Sequence, residues 1–427
     1  MLFHQIAYLH IAKITEKNGN LVSSNKSIQI IIKHRKSGLI MRKKYLKLFA
    51  AAVIISSPFI FHSCNEEDDV EKIAIVGIAQ DPANFKGEVA NGQVVTLDAT
   101  KVYVLNGAVR VKNGGKLVIP AGTRIVATAG ADSYVLVEQG GQIYANGTPA
   151  SPVTFNASAA TPGSWGGVII CGKAPINTGT TGTTEVGNAS YGGTAATDNS
   201  GSLTYVRIEN AGISYATNKN FNGLSLYGIG SDTKVENIAV VNGAEDGIQI
   251  YGGTVNLTNI VSVSNADDAL VWTDGWVGTA SNIYTKRRTS GTGNTGIKGL
   301  SNAANTDASP RSNPVIKNVT LIGGTTGESQ AIKLSAGTYS SFENVVLSNW
   351  TDGLSLESDS TVTHFNGQSK IKDVLFDTNV TNKITAKATD GSNVAIQSST
   401  YNEKADATGA GNQLASPAWA IGWSSLQ

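Results

Sequence analysis

Val235-Glu236-Asn237-Ile238, Leu257-Thr258-Asn259-Ile260 and Ile316-Lys317-Asn318-Val319 are copies of one phrase: apolar, any residue, Asn, then Ile or Val. Phe342-Glu343-Asn344-Val345 repeats it, and Ala280-Ser281-Asn282-Ile283 and Ile371-Lys372-Asp373-Val374 are weaker forms. Asn237, Asn259 and Asn282 are 22 and 23 residues apart, and the later intervals of 36, 26 and 29 read as the same period with insertions. Eight or nine residues after three of these asparagines stands an aspartate, at Asp246-Gly247-Ile248, Asp268-Ala269-Leu270 and Asp352-Gly353-Leu354. A period of this length, made of short alternating strands and Gly/Asn/Asp turns, predicts a parallel β-solenoid.

The rest of the chain agrees with an all-β architecture. Val102-Tyr103-Val104-Leu105, Lys116-Leu117-Val118-Ile119 and Gln142-Ile143-Tyr144-Ala145 are short strands divided by Asn-Gly and Gly-Gly turns. Such strands suit coils that stack, and no stretch shows sustained helical periodicity. The expected organisation is an N-terminal cap over 77–100, a β-helix over 101–376, and a C-terminal coil and cap over 377–427. Trp419 and Trp423 are expected to cover the last coil. Two polar, small-residue loops, 178–202 and 289–313, interrupt the repeat, and loops of that length are commonly binding elements or flexible excursions.

Charge is unevenly distributed. Residues 1–63 hold ten of the 33 Lys and Arg and one of the 32 acids, leaving 23 basic against 31 acidic residues, a net of −8. An acidic mature chain speaks against a nucleic-acid partner. Four of five histidines lie in the same leader, and His364 alone supports neither a histidine-based triad nor a multi-histidine zinc site. Met41, Arg42-Lys43-Lys44 and the apolar run 48–55 read as a signal peptide over 41–63, too short to span a membrane. Residues 1–40 then read as a misassigned upstream start, with an extended basic leader as the alternative. Ser63-Cys64 resembles the end of a bacterial lipobox, with Cys64 as the lipidated first mature residue and a membrane partner through that anchor. The acidic tether 64–76, with Glu66, Glu67, Asp68 and Asp69, resembles an export signal for the outer leaflet. Cys171, in Val168-Ile169-Ile170-Cys171, is expected to be a small buried apolar residue.

Equivalent positions of successive coils stack about 4.8 Å apart. Asparagine tolerates the left-handed region, and its amide can bond the next amide in a ladder, so these asparagines read as structural.

Four further stretches carry a resemblance: Gly115-Lys116-Leu117-Val118-Ile119-Pro120-Ala121-Gly122-Thr123; Gly140-Gly141-Gln142-Ile143-Tyr144-Ala145-Asn146-Gly147-Thr148; Trp165-Gly166-Gly167-Val168-Ile169-Ile170-Cys171-Gly172; and Leu203-Thr204-Tyr205-Val206-Arg207-Ile208-Glu209-Asn210. Together they resemble a family of Bacteroidetes-type outer-membrane lipoproteins with a right-handed parallel β-helix, in the pectin-lyase-like group of folds. The resemblance covers roughly residues 90–427. It implies fold and a cell-surface location, and it transfers no catalytic residue.

The candidate chemistry lies in carboxylates near aromatics. Asp246, Asp267, Asp268 and Asp274 could hold Ca²⁺, a hard ion that takes several oxygen ligands. The competing readings are ordinary Asp turns with exposed side chains and a catalytic acid pair. Trp350-Thr351-Asp352-Gly353 repeats Trp272-Thr273-Asp274-Gly275, so Asp352 aligns with either Asp274 or Asp268. Tyr227, Tyr251, Trp272 and Trp276 could form an aromatic strip for stacking on sugar rings, against the simpler reading as core. A lyase would use Asp268 with a base drawn from Lys286, Arg287 and Arg288, a run that also reads as a solvated face. The leading expectation is a non-catalytic, surface-anchored protein binding a glycan or another surface component. The alternatives are a Ca²⁺-dependent polysaccharide lyase or related glycan-cleaving enzyme, and a structural or adhesive spacer.

Overall fold

A strand buried on one face closes its core only by stacking on a like neighbour, and the repeat supplies such neighbours coil after coil. A computed structural model describes residues 76–289, 293–324 and 326–427. The upstream segment 1–40, the signal segment 41–63, Cys64 and the tether to residue 75 lie outside these residues. Two long parallel sheets carry the coils. The first has 11 strands, from Gly87–Val89 to Asn382–Lys387, and the second has 14, from Val94–Thr96 to Tyr401–Glu403. The architecture is a right-handed parallel β-helix, and one column of buried Ile, Val, Leu and Phe side chains runs through it.

The second sheet is bent along its whole later length. In the early coils two separate strands, Gln142–Asn146 and Val153–Ala157, both pair with the single strand Gly201–Glu209. Tyr205, at the join, has φ 49°. In later coils one residue makes the bend: Asn237, Asn259, Asn282, Asn318 and Asn344, with φ between 56° and 59°. Pairing passes over these residues, so Glu236 faces Thr258 and Ile238 faces Ile260. The asparagine phrase therefore marks a corner inside a strand. The amides are bonded in series, each Nδ2 donating to the Oδ1 one coil back: Asn259 to Asn237 at 2.9 Å, Asn282 to Asn259 at 2.8 Å, Asn318 to Asn282 and Asn344 to Asn318 at 2.9 Å. A second row at the strand ends was not expected from the repeat: Asn242 donates to Asn210, and Asn210 to Asn156, at 2.6 and 2.7 Å.

Asp373 occupies the corner of the next coil and has no amide to donate. The series ends instead on residues 408 and 409: Thr408 N and Gly409 N donate to Asn344 Oδ1 at 2.9 and 3.1 Å. From there the chain runs back over the outer face of the second sheet. Ala410 N donates to Thr320 Oγ1 at 3.0 Å, the Trp423 ring lies edge-on to Tyr205 at 5.5 Å, and Ser425 Oγ donates to Glu209 Oε1 at 3.2 Å. Trp419 and Trp423 consequently do not cover the last coil, contrary to expectation. Trp423 is buried against Ala239, Val261 and Tyr284, apolar residues that this sheet presents outward. The intervals of 36 and 29 residues contain, respectively, the excursion after Arg288 and an unexpected short helix, Asp359–Phe365, which puts Val362 and Phe365 into the core.

Replacing Asn259 by Ala removes two hydrogen bonds of the ladder, each worth about 1 kcal/mol. It also places a Cβ-bearing residue without a compensating side-chain bond at φ 59°, at about 1–2 kcal/mol. Chemical denaturation should show a loss of about 3 kcal/mol, and an unchanged midpoint would exclude the ladder as a stabilising element.

Candidate functional site

The 22-residue coil puts Asp246 beside Asp268 in the turns that enter the first sheet. Ile248 pairs with Leu270 two residues on, and Asp268 N donates to Asp246 Oδ1 at 3.0 Å. Both aspartates are buried, whereas Glu245 and Asp267 are half-buried and give the cluster its opening. One carboxylate oxygen from each of Asp246, Asp267 and Asp268 lies within 4.8 Å of the other two. Asp268 Oδ1 accepts from Thr295 N and Thr295 Oγ1, each at 2.7 Å, and its Oδ2 accepts from Lys298 Nζ at 2.9 Å. Asp267 accepts from the Asn294 amide.

Among the described residues, four acids thus share one site with a single ion-paired lysine. Burial, and then the field of Asp268, holds the Asp246 carboxyl well above the usual carboxylate range. The same two causes raise Asp267. Burial, followed by Asp267, pushes Glu245 up to about 7. Burial alone would lower Lys298, but the charge and hydrogen bond of Asp268 outweigh it and leave the ammonium above its ordinary value. Removing charges from water without equal compensation is costly, and a bound cation would relieve that cost. Two oxygens on one Ca²⁺ at about 2.3–2.6 Å can be no more than about 5 Å apart, which matches the spacing of the three aspartates. The donors are all hard carboxylate oxygens, so these residues fit Ca²⁺ better than a soft metal.

Several expected residues lie elsewhere. Asp274 is at the far end of its strand, left-handed at φ 57°, with its carboxylate near Tyr191 Oη at 3.4 Å. It is not grouped with the three aspartates. Asp352 pairs with Gln330, in register with the Asp268 row and not with Asp274, but two coils separate it from Asp268. Trp272 and Trp276 are fully buried, which removes them from an exposed strip. Trp272 points inward at the position shared by Ile250 and Gly299, and a Cβ on Gly299 would come within 2.3 Å of its ring. Its Nε1 donates to Thr338 Oγ1 at 3.0 Å, and Trp276 Nε1 donates to Val255 O at 2.9 Å. Tyr227 and Tyr251 do stack along the outer face, with centroids 3.9 Å apart and planes at 6°. Tyr191, from the 178–202 loop, packs on Tyr227 and buries it, so Tyr251 is the accessible member.

The basic run also divides. Lys286 is exposed at the end of a second-sheet strand. Arg287 is buried and donates to main-chain carbonyls, while Arg288 donates to Ser264 O and Gly243 O. Neither guanidinium is free to act as a base. Lys298, which pairs with Asp268, was not singled out in the sequence. It follows an insertion that hides the coil register, and only the alternation in Ile297-Lys298-Gly299 hints that it faces outward. Cys171 is buried beneath the loop that carries Tyr191, and burial pushes its thiol up.

Between its ordinary value of 4.5 and about 7, folded Glu245 holds a proton that the unfolded chain has lost. Its contribution to stability is therefore greatest below pH 4.5 and declines as pH rises to about 7. The melting temperature should fall across that window in EDTA. Added Ca²⁺ should reverse the fall at neutral pH, and a melting temperature indifferent to both would contradict the electrostatic reading.

The model of one protein family, the pectate-lyase like beta helix domain, matches residues 87–424. No curated protein and no solved structure matches the chain. Two all-parallel sheets coiled about one core are the architecture that this family description names. The chain belongs to the pectate-lyase-like β-helix domain family.

Proposed function

We propose that the protein is an outer-membrane lipoprotein, displayed on the cell surface through Cys64, that binds an acidic glycan along the outer face of its first sheet. The observation that carries this reading is the grouping of the Asp246, Asp267 and Asp268 carboxylates within 4.8 Å. A divalent cation held there would supply positive charge for a uronate carboxylate. Tyr251 lies beside the site, its hydroxyl donating to Gln249 Oε1 at 2.6 Å, and Asn222 Nδ2 donates to the same oxygen at 2.8 Å. The half-buried phenol ring offers a stacking surface for a sugar, and the amides offer polar contacts.

One observation favours a second reading, a polysaccharide lyase. Lys298 Nζ is 2.9 Å from Asp268 Oδ2, in the place where the sequence suggested Lys286, Arg287 or Arg288. With the acids neutralised, the interactions that raise the lysine would weaken, and its neutral amine would take the proton α to a uronate carboxylate. The bond to the leaving sugar would then break, its oxygen keeping the electron pair and taking a proton from water, and a double bond would form in the uronate ring.

The 65–427 form should bind polygalacturonate in Ca²⁺, and Asp268→Asn or EDTA should weaken binding at least about tenfold, without release of an ultraviolet-absorbing product. Release of such a product, lost in Lys298→Ala, would replace binding by lyase activity. No interaction with acidic or neutral polysaccharides would leave a spacer. For the anchor, Cys64→Ser should move the protein from the membrane to the soluble fraction, and retention in the membrane would defeat the assignment.

A further inference from the structure

Arg287 is a buried cation with no carboxylate on its guanidinium among the described residues. Nη1 donates to Thr326 O and Nη2 to Glu328 O, both at 2.8 Å, and Nη2 also donates to Asn294 O. The planar group lies over the Trp350 ring, 4.3 Å from its centroid. One fork thus joins two chain segments that approach from different insertions, 293–296 and 326–328. The first of these is also the segment that grips the acids: the Asn294 amide donates to Asp267, and Thr295 gives both its N–H and its hydroxyl to Asp268 Oδ1. Asp267, Asn294, Thr295 and Arg287 line the same small recess.

We infer that Arg287 is a positioning residue for the acid pocket: by clamping the 293–296 segment it orients Asp267 and Asp268, and so sets the affinity of the pocket for a divalent cation. The inference rests on the cation reading proposed above. Its physical basis is that groups bonded behind a ligand fix the ligand's direction, and their loss costs about 10- to 100-fold in metal affinity. Lysine cannot replace the fork, because one ammonium cannot reach three separated carbonyls with the same fixed geometry.

Charge and positioning make opposite forecasts. As a positive charge near the pocket, Arg287 opposes a second cation, so on electrostatics alone Arg287→Gln would tighten Ca²⁺ and Arg287→Lys would leave it unchanged. As a positioning residue, both substitutions weaken it. Calorimetric Ca²⁺ titration should give at least about a tenfold loss in both variants relative to wild type, with Asp268→Asn as the non-binding control. Wild-type affinity in Arg287→Lys, or tighter binding in Arg287→Gln, would overturn the inference. If neither Arg287 variant folds, Thr295→Val cuts the same chain of contacts at its far end, and unchanged affinity there would overturn it. If the wild type binds no Ca²⁺, the cation reading fails by itself. Hydrogen exchange at the Thr295 amide then decides the clamp: faster exchange in Arg287→Lys supports it, and unchanged protection refutes it.

Discussion

The structure depends on one backbone constraint, a left-handed residue at the same corner of six successive coils, from Asn237 to Asp373. The corner allows a single strand to serve two directions of the second sheet, where earlier coils need two strands. It also leaves a side chain at a fixed height in each coil. An asparagine there carries both a donor and an acceptor, so its amide can bond upward and downward at the spacing of a parallel sheet. The ladder and the sheet pairing therefore enforce the same register. A slip of one residue would turn the apolar column outward and break the amide–amide hydrogen bonds of the ladder together.

That register assembles the acid pocket. Asp246 and Asp268 meet because they stand at the same offset from ladder positions one coil apart. The turn residues Glu245 and Asp267 are drawn in with them. The resulting concentration of carboxyl groups is more than a solenoid turn requires, since Thr295 fills the corresponding position in the next coil. Stability alone would favour a neutral residue in each turn. The excess of acids over basic partners is the physical ground of the proposed cation.

Insertions and the tail then decide which surfaces remain open. The 178–202 loop lays Tyr191 over Tyr227 and leaves Tyr251 half-buried. Residues after 404 cross the outside of the second sheet, bury Trp423 against Ala239, Val261 and Tyr284, and reach back to Tyr205 and Glu209. One long face is therefore occupied by the protein's own tail. The first sheet, where the acids lie, retains an accessible edge through Glu245 and Asp267.

The sequence by itself determined the coil, because a repeat in apolar residues and asparagines is a local pattern that each coil satisfies with its neighbours. It also determined the adjacency of Asp246 and Asp268, which follows from a 22-residue interval without insertions. Where insertions intervene, that arithmetic fails. Asp352 could not be placed until Gln330 and Thr295 filled the intervening coils, and Lys298 was hidden behind a loop of undetermined length. Parity was the other gap: Trp272 and Tyr251 are both aromatic and strand-borne, yet one faces the core and the other faces out. Only the packed structure decided that, because Gly299 in a later coil makes the room that an indole needs inside. The roles of Arg287 and the C-terminal tryptophans were likewise tertiary, since their partners are carbonyls and outward-facing apolar residues that leave no signature in the sequence.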